Sequence, residues 1–361
     1  MKISPSGATI LGWHAFPEPT FWGELNTSGE QDMLWTNSSL TPSAGFVKGD
    51  KFYSYYAVNS SGYLYMRYYI NDLATGATLE YGNLSSADAT QFVFMCAYDE
   101  KNDKVYAYTY NADGSGKMLQ TIDPETRTFT KLCDITSATT PQVFGYNSTD
   151  NKLYGVSRTG DFVRISTVDG SFEKIASTGI TPSNYKQAMT YSPIDKRFVW
   201  AALRSDFIAC IVSIDAETGK AEVTAELPQF TEYTILTTSD KIPAPNSPER
   251  PVIKSFNFPN ASNSGSVTVV APSTHYDGSA LSGKMTLKSL LDGTQHSSTE
   301  VNAGEEVEIP FSNVSDGTHT FSFSVIVDET SSSATIYNTT FIGKDTPKTP
   351  ANVVIDSKGI K

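Results

Sequence analysis

An all-β chain in two parts is what this sequence predicts: a ring of repeated four-stranded units, then a β-sandwich. Three observations carry the prediction. First, one turn recurs: Tyr-Asp-Glu-Lys-Asn-Asp-Lys-Val-Tyr at 98–106, Tyr-Asn-Ser-Thr-Asp-Asn-Lys-Leu-Tyr at 146–154 and Tyr-Ser-Pro-Ile-Asp-Lys-Arg-Phe-Val at 191–199, with a shorter cousin at 47–53. Its anchors Lys51, Lys104, Lys152 and Arg197 are 53, 48 and 45 residues apart. A period of roughly 40–50 residues with four strands per unit is the signature of a β-propeller. Second, unmatched strands remain at the two ends of the repeat region. Third, a proline run at 243–251 is followed by alternating segments of a different composition.

Within each repeat the strands run from the channel outward as A, B, C and D, and the recurring turn joins A to B. The expected strands are 44–48, 51–58, 63–70 and 78–82 in one unit, and 91–98, 104–110, 117–122 and 128–133 in the next. The third has 142–147, 152–157, 162–166 and 171–176; the fourth has 186–192, 197–203, 208–214 and 221–227. Turns such as Ile122-Asp123-Pro124-Glu125-Thr126 place Pro and Asp where type I geometry wants them.

The ends complete a fifth unit. Thr234–Thr237 reads as an A strand with no successors, whereas 9–14, 20–26 and 31–36 read as B, C and D without an A. Pairing them closes the ring by contacts distant in sequence and removes its free edges. The prediction is a five-bladed β-propeller over 1–242, closed by its N- and C-terminal strands. A Pro-rich linker at 243–251 leads to a sandwich at 252–344, with strands expected at 252–258, 266–270, 284–291, 305–311, 318–327 and 334–342. Residues 345–361 read as a further linker and the first strand of a truncated next domain.

The Pro-rich entry, Val267-Thr268-Val269-Val270-Ala271-Pro272, the Tyr276-Asp277-Gly278 turn, Gly304-Glu305 and Asp316-Gly317-Thr318-His319-Thr320-Phe321 resemble the landmarks of a fibronectin type III domain. Two of that family's marks are missing: the B-strand tryptophan, where Val269 and Val270 stand, and the corner tyrosine. The whole chain resembles uncharacterised secreted proteins of Bacteroidetes-type bacteria that carry a β-propeller followed by a fibronectin type III-like domain. That resemblance brings no motif of known activity.

Bulk chemistry excludes more than it selects. The formal charge is −12, with 27 Lys and Arg against 39 Asp and Glu, and no basic stripe, so nucleic acid is not an expected partner. No stretch is long and apolar enough to span a membrane, and Met1-Lys2-Ile3-Ser4-Pro5 does not read as a signal peptide. Cys96, Cys133 and Cys210 lack metal-ligand spacing and read as buried free thiols. His14, His275, His296 and His319 offer no metal pair. The Asp/Asn turns (Asp99, Asn102, Asp103, Asp150, Asn151) carry oxygen ligands suited to Ca²⁺, but a tight turn requires the same residues.

Glycoside hydrolysis needs two carboxylates about 5–10 Å apart. Glu18, Asp88, Asp206 and Glu232 fall on the face of the D–A and B–C loops; Asp99, Asp150 and Asp195 fall on the other. No catalytic residue, metal or cofactor is assigned. The aromatics are the functional lead. Trp13, Trp22 and Trp35 share one unit, and Tyr185, Phe230 and Tyr233 lie in or beside D–A loops. The expected site is Tyr185, Phe230, Glu232 and Tyr233, on the D–A and B–C face, with little shape on the A–B face. The function expected is a monomeric extracellular or cell-surface binding or adhesion module for a glycan or protein ligand. The second reading is a propeller-type carbohydrate-active enzyme, a glycoside hydrolase or lyase.

Overall fold

In a computed structural model the chain is described at residues 10–25, 31–36, 42–60, 63–84, 91–111, 114–136, 138–238, 246–327, 333, 335–344, 355–356 and 359–360. It divides into two compact units, Lys2–Pro243 and Ala244–Lys361, the latter grouped with Met1. Every regular element among the described residues is a strand. Among the described residues no helix is long and apolar enough to cross a membrane.

The described strands of the first unit form five four-stranded antiparallel sheets. The closing sheet runs Glu232–Thr238, Ile10–Phe16, Phe21–Leu25, Gln31–Thr36 from inside outward. Its join is Ile10 opposite Thr238, Gly12 opposite Leu236 and Trp13 opposite Ile235. The second sheet is Ala44–Lys48, Lys51–Ser60, Tyr63–Asp72, Thr78–Asn83, and the third is Gln91–Asp99, Lys104–Asn111, Met118–Ile122, Phe129–Asp134. The fourth is Val143–Asn147, Lys152–Val156, Asp161–Ile165, Phe172–Ser177; the fifth is Ala188–Ser192, Arg197–Leu203, Ala209–Asp215, Ala221–Glu226. The inner strands lie side by side in that order, and the fifth returns to the closing sheet.

Burial explains the ring. Each junction between neighbouring sheets has its own apolar cluster. Trp13, Trp22, Trp35 and Ile235 meet Phe52 between closing and second sheets, and Phe46 and Tyr55 meet Phe92 and Val105 between second and third. Tyr108 and Leu119 meet Phe144 and Val163 at the next junction. Phe162 meets Phe198 and Trp200, and Leu203 and Ile211 meet Ile10 and Tyr233. A sheet buried on both faces by large side chains has no other stable place to put them.

The A–B turns close on themselves. The residue just before the B strand is left-handed in three of them: Asp103, Asn151 and Lys196, at φ 48°, 60° and 53°. Asp99 takes hydrogen bonds from the backbone and side-chain nitrogens of Asn102 at 3.2 and 2.7 Å, and Asn147 Oδ1 accepts from Thr149 N at 2.9 Å. These side chains satisfy the turn backbone.

In the second unit, Val252–Asn257, Gly265–Val270 and Glu306–Phe311 form a three-stranded sheet. Thr294–Asn302, Lys284–Leu291, Gly317–Ile326 and Ile336–Ile342 form a four-stranded one. The core between them holds Val267, Val269, Leu287, Phe311, Phe321 and Phe323. Thr294–Asn302 is a strand the sequence reading lacks. Only Val301 of it is buried, because it is the sheet edge, so it carries little of the apolar alternation that marks a strand. In the tail, Ile355–Asp356 pairs with Gly359–Ile360 as a short hairpin. The rest of 345–361, on which the expectation of a further linker and strand falls, lies outside the described residues.

Candidate functional site

The B–C turns set up the comparison that locates the site. In the third sheet, Asn111 N bonds to Ser115 O and Gly114 N to Asn111 O. The fourth repeats this with Ser157, Gly160 and Asp161, and the fifth with Arg204, Phe207 and Ile208. The fourth residue of this turn is left-handed each time: Gly114 at φ 80°, Gly160 at 85°, Phe207 at 64°. Two turns use glycine, which adopts that backbone freely; the fifth sheet uses a bulky aromatic, for which it is strained.

A second aromatic does the same on the neighbouring loop. Phe230 has φ 63°, and its N–H donates to Phe207 O at 3.1 Å. The two rings stack with centroids 5.1 Å apart at 30°, and Tyr185 meets Phe207 edge-on at 6.0 Å. Tyr185, Phe207 and Phe230 remain 53%, 36% and 42% exposed. Neither phenylalanine belongs to an apolar junction cluster, so the core does not require this backbone. The loop between the fourth and fifth sheets is braced: Ser183 N bonds to Leu203 O, Ser205 N to Thr181 O, and Gln142 Nε2 donates to Tyr185 O at 2.7 Å.

Beside this strip lie Lys186 and Glu232. The backbone N–H of Lys186 donates to Glu232 Oε2 at 3.2 Å, and Lys186 Nζ reaches Pro42 O at 3.3 Å. Burial pushes the Lys186 ammonium down and the Glu232 carboxyl up, each countered in part by the other's charge. Of the expected site residues, Tyr185, Phe230 and Glu232 therefore fall in one neighbourhood. Tyr233 does not join them as a surface group. It is 1% exposed, because alternation along its strand turns it into the junction with the fifth sheet, with His14 edge-on at 5.6 Å.

The other leads resolve differently. Trp13, Trp22 and Trp35 are core, at 0%, 0% and 8% exposed. Glu18 accepts from Thr20 N at 3.1 Å and Asp206 pairs with Arg204 at 2.5 Å, while Asp88 lies outside the described residues. The thiols are unpaired; Cys133 and Cys210 are buried, but Cys96 is only half-buried, on an inner strand beside the channel, with its thiol donating to Gly45 O at 3.3 Å. His319 pairs with Asp292 at 2.6 Å, His275 bonds Asn246 O, and His296 stacks on Phe311. Among the described residues no cluster of His, Cys, Asp or Glu is arranged to hold a metal.

The expectation of little shape on the A–B face needs correction. The channel opens there as a cavity of about 130 Å³ lined by all five inner strands with Glu100, Ser148 and Pro193. A cleft of about 610 Å³ lies against the turns bearing Asp150, Asp195 and Lys196. Adjacent sheets diverge away from the channel, so even short turns leave gaps between them. Some charges of that cleft are paired, Arg164 with Glu173 and Lys174 with Asp161, and the Tyr154 hydroxyl donates to Asp150 at 2.5 Å.

Phe207 is the site residue that sequence reasoning missed. The signal was available: an aromatic at the turn position where the two preceding repeats have glycine.

No family model matches the chain, and no curated protein matches it. Among solved structures it is similar to the extracellular domain of a protein described as a one component system from B. thetaiotaomicron (14% identity, 83% of this chain and 44% of that one, TM-score 0.30). It is also similar to a structural genomics protein of unknown function from Bacteroides thetaiotaomicron (10%, 68% and 56%, 0.39). A third similarity is to TolB from Acinetobacter baumannii (15%, 74% and 62%, 0.40). The chain thus spans 44% to 62% of the length of these proteins. No fold assignment, site or ligand passes from them to this chain.

Proposed function

We propose that the chain is an extracellular or cell-surface binding module, monomeric and without a catalytic step. Its first unit is read as a five-bladed β-propeller that presents Tyr185, Phe207 and Phe230 to a glycan. The single observation behind the reading is the pair of stacked, partly exposed phenylalanines at φ 64° and 63°. Their stacked rings form an apolar patch, with Glu232, Lys186 and the Arg204–Asp206 pair close in sequence or contact. A sugar ring offers C–H bonds to such a patch and hydroxyls to such neighbours. The second unit is read as a fibronectin type III-like spacer; its three-plus-four strand order supports that reading. Rigid ring, braced loops and proline-rich connection suit display of a site away from a surface.

The test is a glycan array run beside a peptide array, with the wild type and with Phe207→Gly. Glycan binding that weakens by about tenfold or more in the variant supports the reading. Peptide binding with the same loss moves the ligand to protein; binding untouched by the variant removes the strip from the site. The raised Glu232 carboxyl favours the enzyme reading as the second. Polysaccharide turnover by the wild type that Glu232→Gln abolishes would establish it.

A further inference from the structure

The cleft between the third and fourth sheets is unlike the others. Its volume is about 240 Å³, room for one ring and not for a chain of sugars, and its walls are Phe94, Tyr108, Tyr110, Ile135 and Thr140, with Lys117 and Arg158.

Three features point to a ligand. The first is a β-bulge. The pairing of Gln91–Asp99 with Lys104–Asn111 shifts between Val93 and Met95, leaving Phe94 as the extra residue. Bulges re-aim side chains: Phe94 belongs to neither junction cluster of its sheet and stands edge-on to Tyr110 at 5.8 Å. The second is Tyr108. It is 1% exposed, and its buried hydroxyl has no hydrogen-bond partner among the described residues, a costly arrangement unless something else supplies one. The third is charge. In a chain of net charge −12, the described residues lining this cleft include two cations and no carboxylate.

We propose that this cleft binds a single-ring aryl carboxylate. The crossed rings of Phe94 and Tyr110 form a corner that takes a flat apolar ring. Arg158 and Lys117 take the carboxylate, and the Tyr108 hydroxyl takes a polar substituent on the ring. A uronic acid carries a carboxylate too, but its hydroxyl-covered edges would meet Phe94, Tyr110 and Ile135 with few partners.

The test is isothermal titration calorimetry of the whole protein with 4-hydroxybenzoate, benzoate, benzyl alcohol and D-glucuronate. The expected order is 4-hydroxybenzoate tightest, then benzoate, with benzyl alcohol and glucuronate at least about tenfold weaker than benzoate. Arg158→Gln, at an exposed position, should weaken both carboxylates about tenfold without changing thermal unfolding. Tyr108→Phe removes only the unpartnered hydroxyl and should erase the preference for 4-hydroxybenzoate over benzoate. Phe207→Gly should leave all of this unchanged, so failure here and failure of the glycan site are separable. The proposal is overturned if no aryl carboxylate binds up to about 10 mM, a ceiling of very weak affinity. It is equally overturned if glucuronate matches benzoate, or if Arg158→Gln binds as the wild type does.

Discussion

Replacing Phe207 by alanine and by glycine separates backbone strain from ring contacts. Both variants delete the ring and its contacts with Phe230 and Tyr185, so burial cancels in the comparison. What remains is the backbone at φ 64°. A left-handed backbone costs an L-residue with a Cβ about 1–2 kcal/mol, and glycine escapes that cost. Glycine loses more chain entropy on folding, about 0.5–1 kcal/mol relative to alanine. The difference leaves Phe207→Gly more stable than Phe207→Ala by about 0–1.5 kcal/mol, centred on about 0.75. At an ordinary buried strand position such as Ala201, a change to glycine has the opposite sign. Urea unfolding followed by tryptophan fluorescence reads the comparison, since Trp13, Trp22, Trp35 and Trp200 all lie in this unit. Both variants should lose ligand binding equally. An alanine variant as stable as the glycine variant, or more so, would refute the strain argument and with it the reason for placing the site here.

Three further outcomes are expected. Trp13→Ala, at a fully buried side chain where the closing sheet meets Phe52, should lower the stability of the first unit by about 3–5 kcal/mol in urea unfolding, because it leaves a cavity in the junction beside the strand pair that closes the ring. Lowering the pH from 7.5 to 5.5, a range chosen about the ordinary histidine value, should move the two units in opposite directions in unfolding scans. Burial lowers the His14 pKa, so its contribution is present above the ordinary value and lost as pH falls; the Asp292 hydrogen bond raises that of His319, so its contribution is full below the ordinary value and fades as pH rises through the folded one. His319→Gln should remove the second trend. The native protein should react slowly with a thiol reagent, since burial pushes the Cys96 and Cys210 thiols up to about 12 and 11; rapid modification at neutral pH would contradict the packing of their strands.

The repeats were legible because the A–B turn makes the same physical demand in each unit. It needs an Asp, Asn or Ser to satisfy backbone N–H groups and a residue that tolerates positive φ before the B strand, as Asn147 and Asn151 show. The closing sheet was legible because Thr234–Thr237 had no successors and the first strands had no predecessor. The edge strand Thr294–Asn302 was not, since most of its side chains face water and obey no alternation. The site was half legible. Tyr185 and Phe230 stood out as loop aromatics, but Tyr233 was placed with them on proximity in sequence, and a one-residue step along a strand reverses the face. The cleft at Phe94 was invisible, because a bulge is a property of pairing between two strands and leaves no mark in either alone.

The two faces of the ring differ in what stands at the left-handed turn position. On the A–B face three turns are closed by Asp99, Asn147 and Ser192, with Asp103, Asn151 and Lys196 left-handed, and in the cleft beside Asp150 Arg164 pairs with Glu173. On the other face the B–C turns share one backbone pattern, with Gly114, Gly160 and Phe207 at one equivalent left-handed position. Side chains assist there too: Ser157 Oγ accepts from Asp161 N at 3.0 Å and Asp206 Oδ1 from Ile208 N at 3.3 Å. What varies is the residue at the left-handed position, which carries a phenylalanine in one turn, while the bulge in the third sheet turns Phe94 out of both cores. The same scaffold can therefore change what it displays on this face, sheet by sheet, without disturbing the five apolar junctions that hold the ring together.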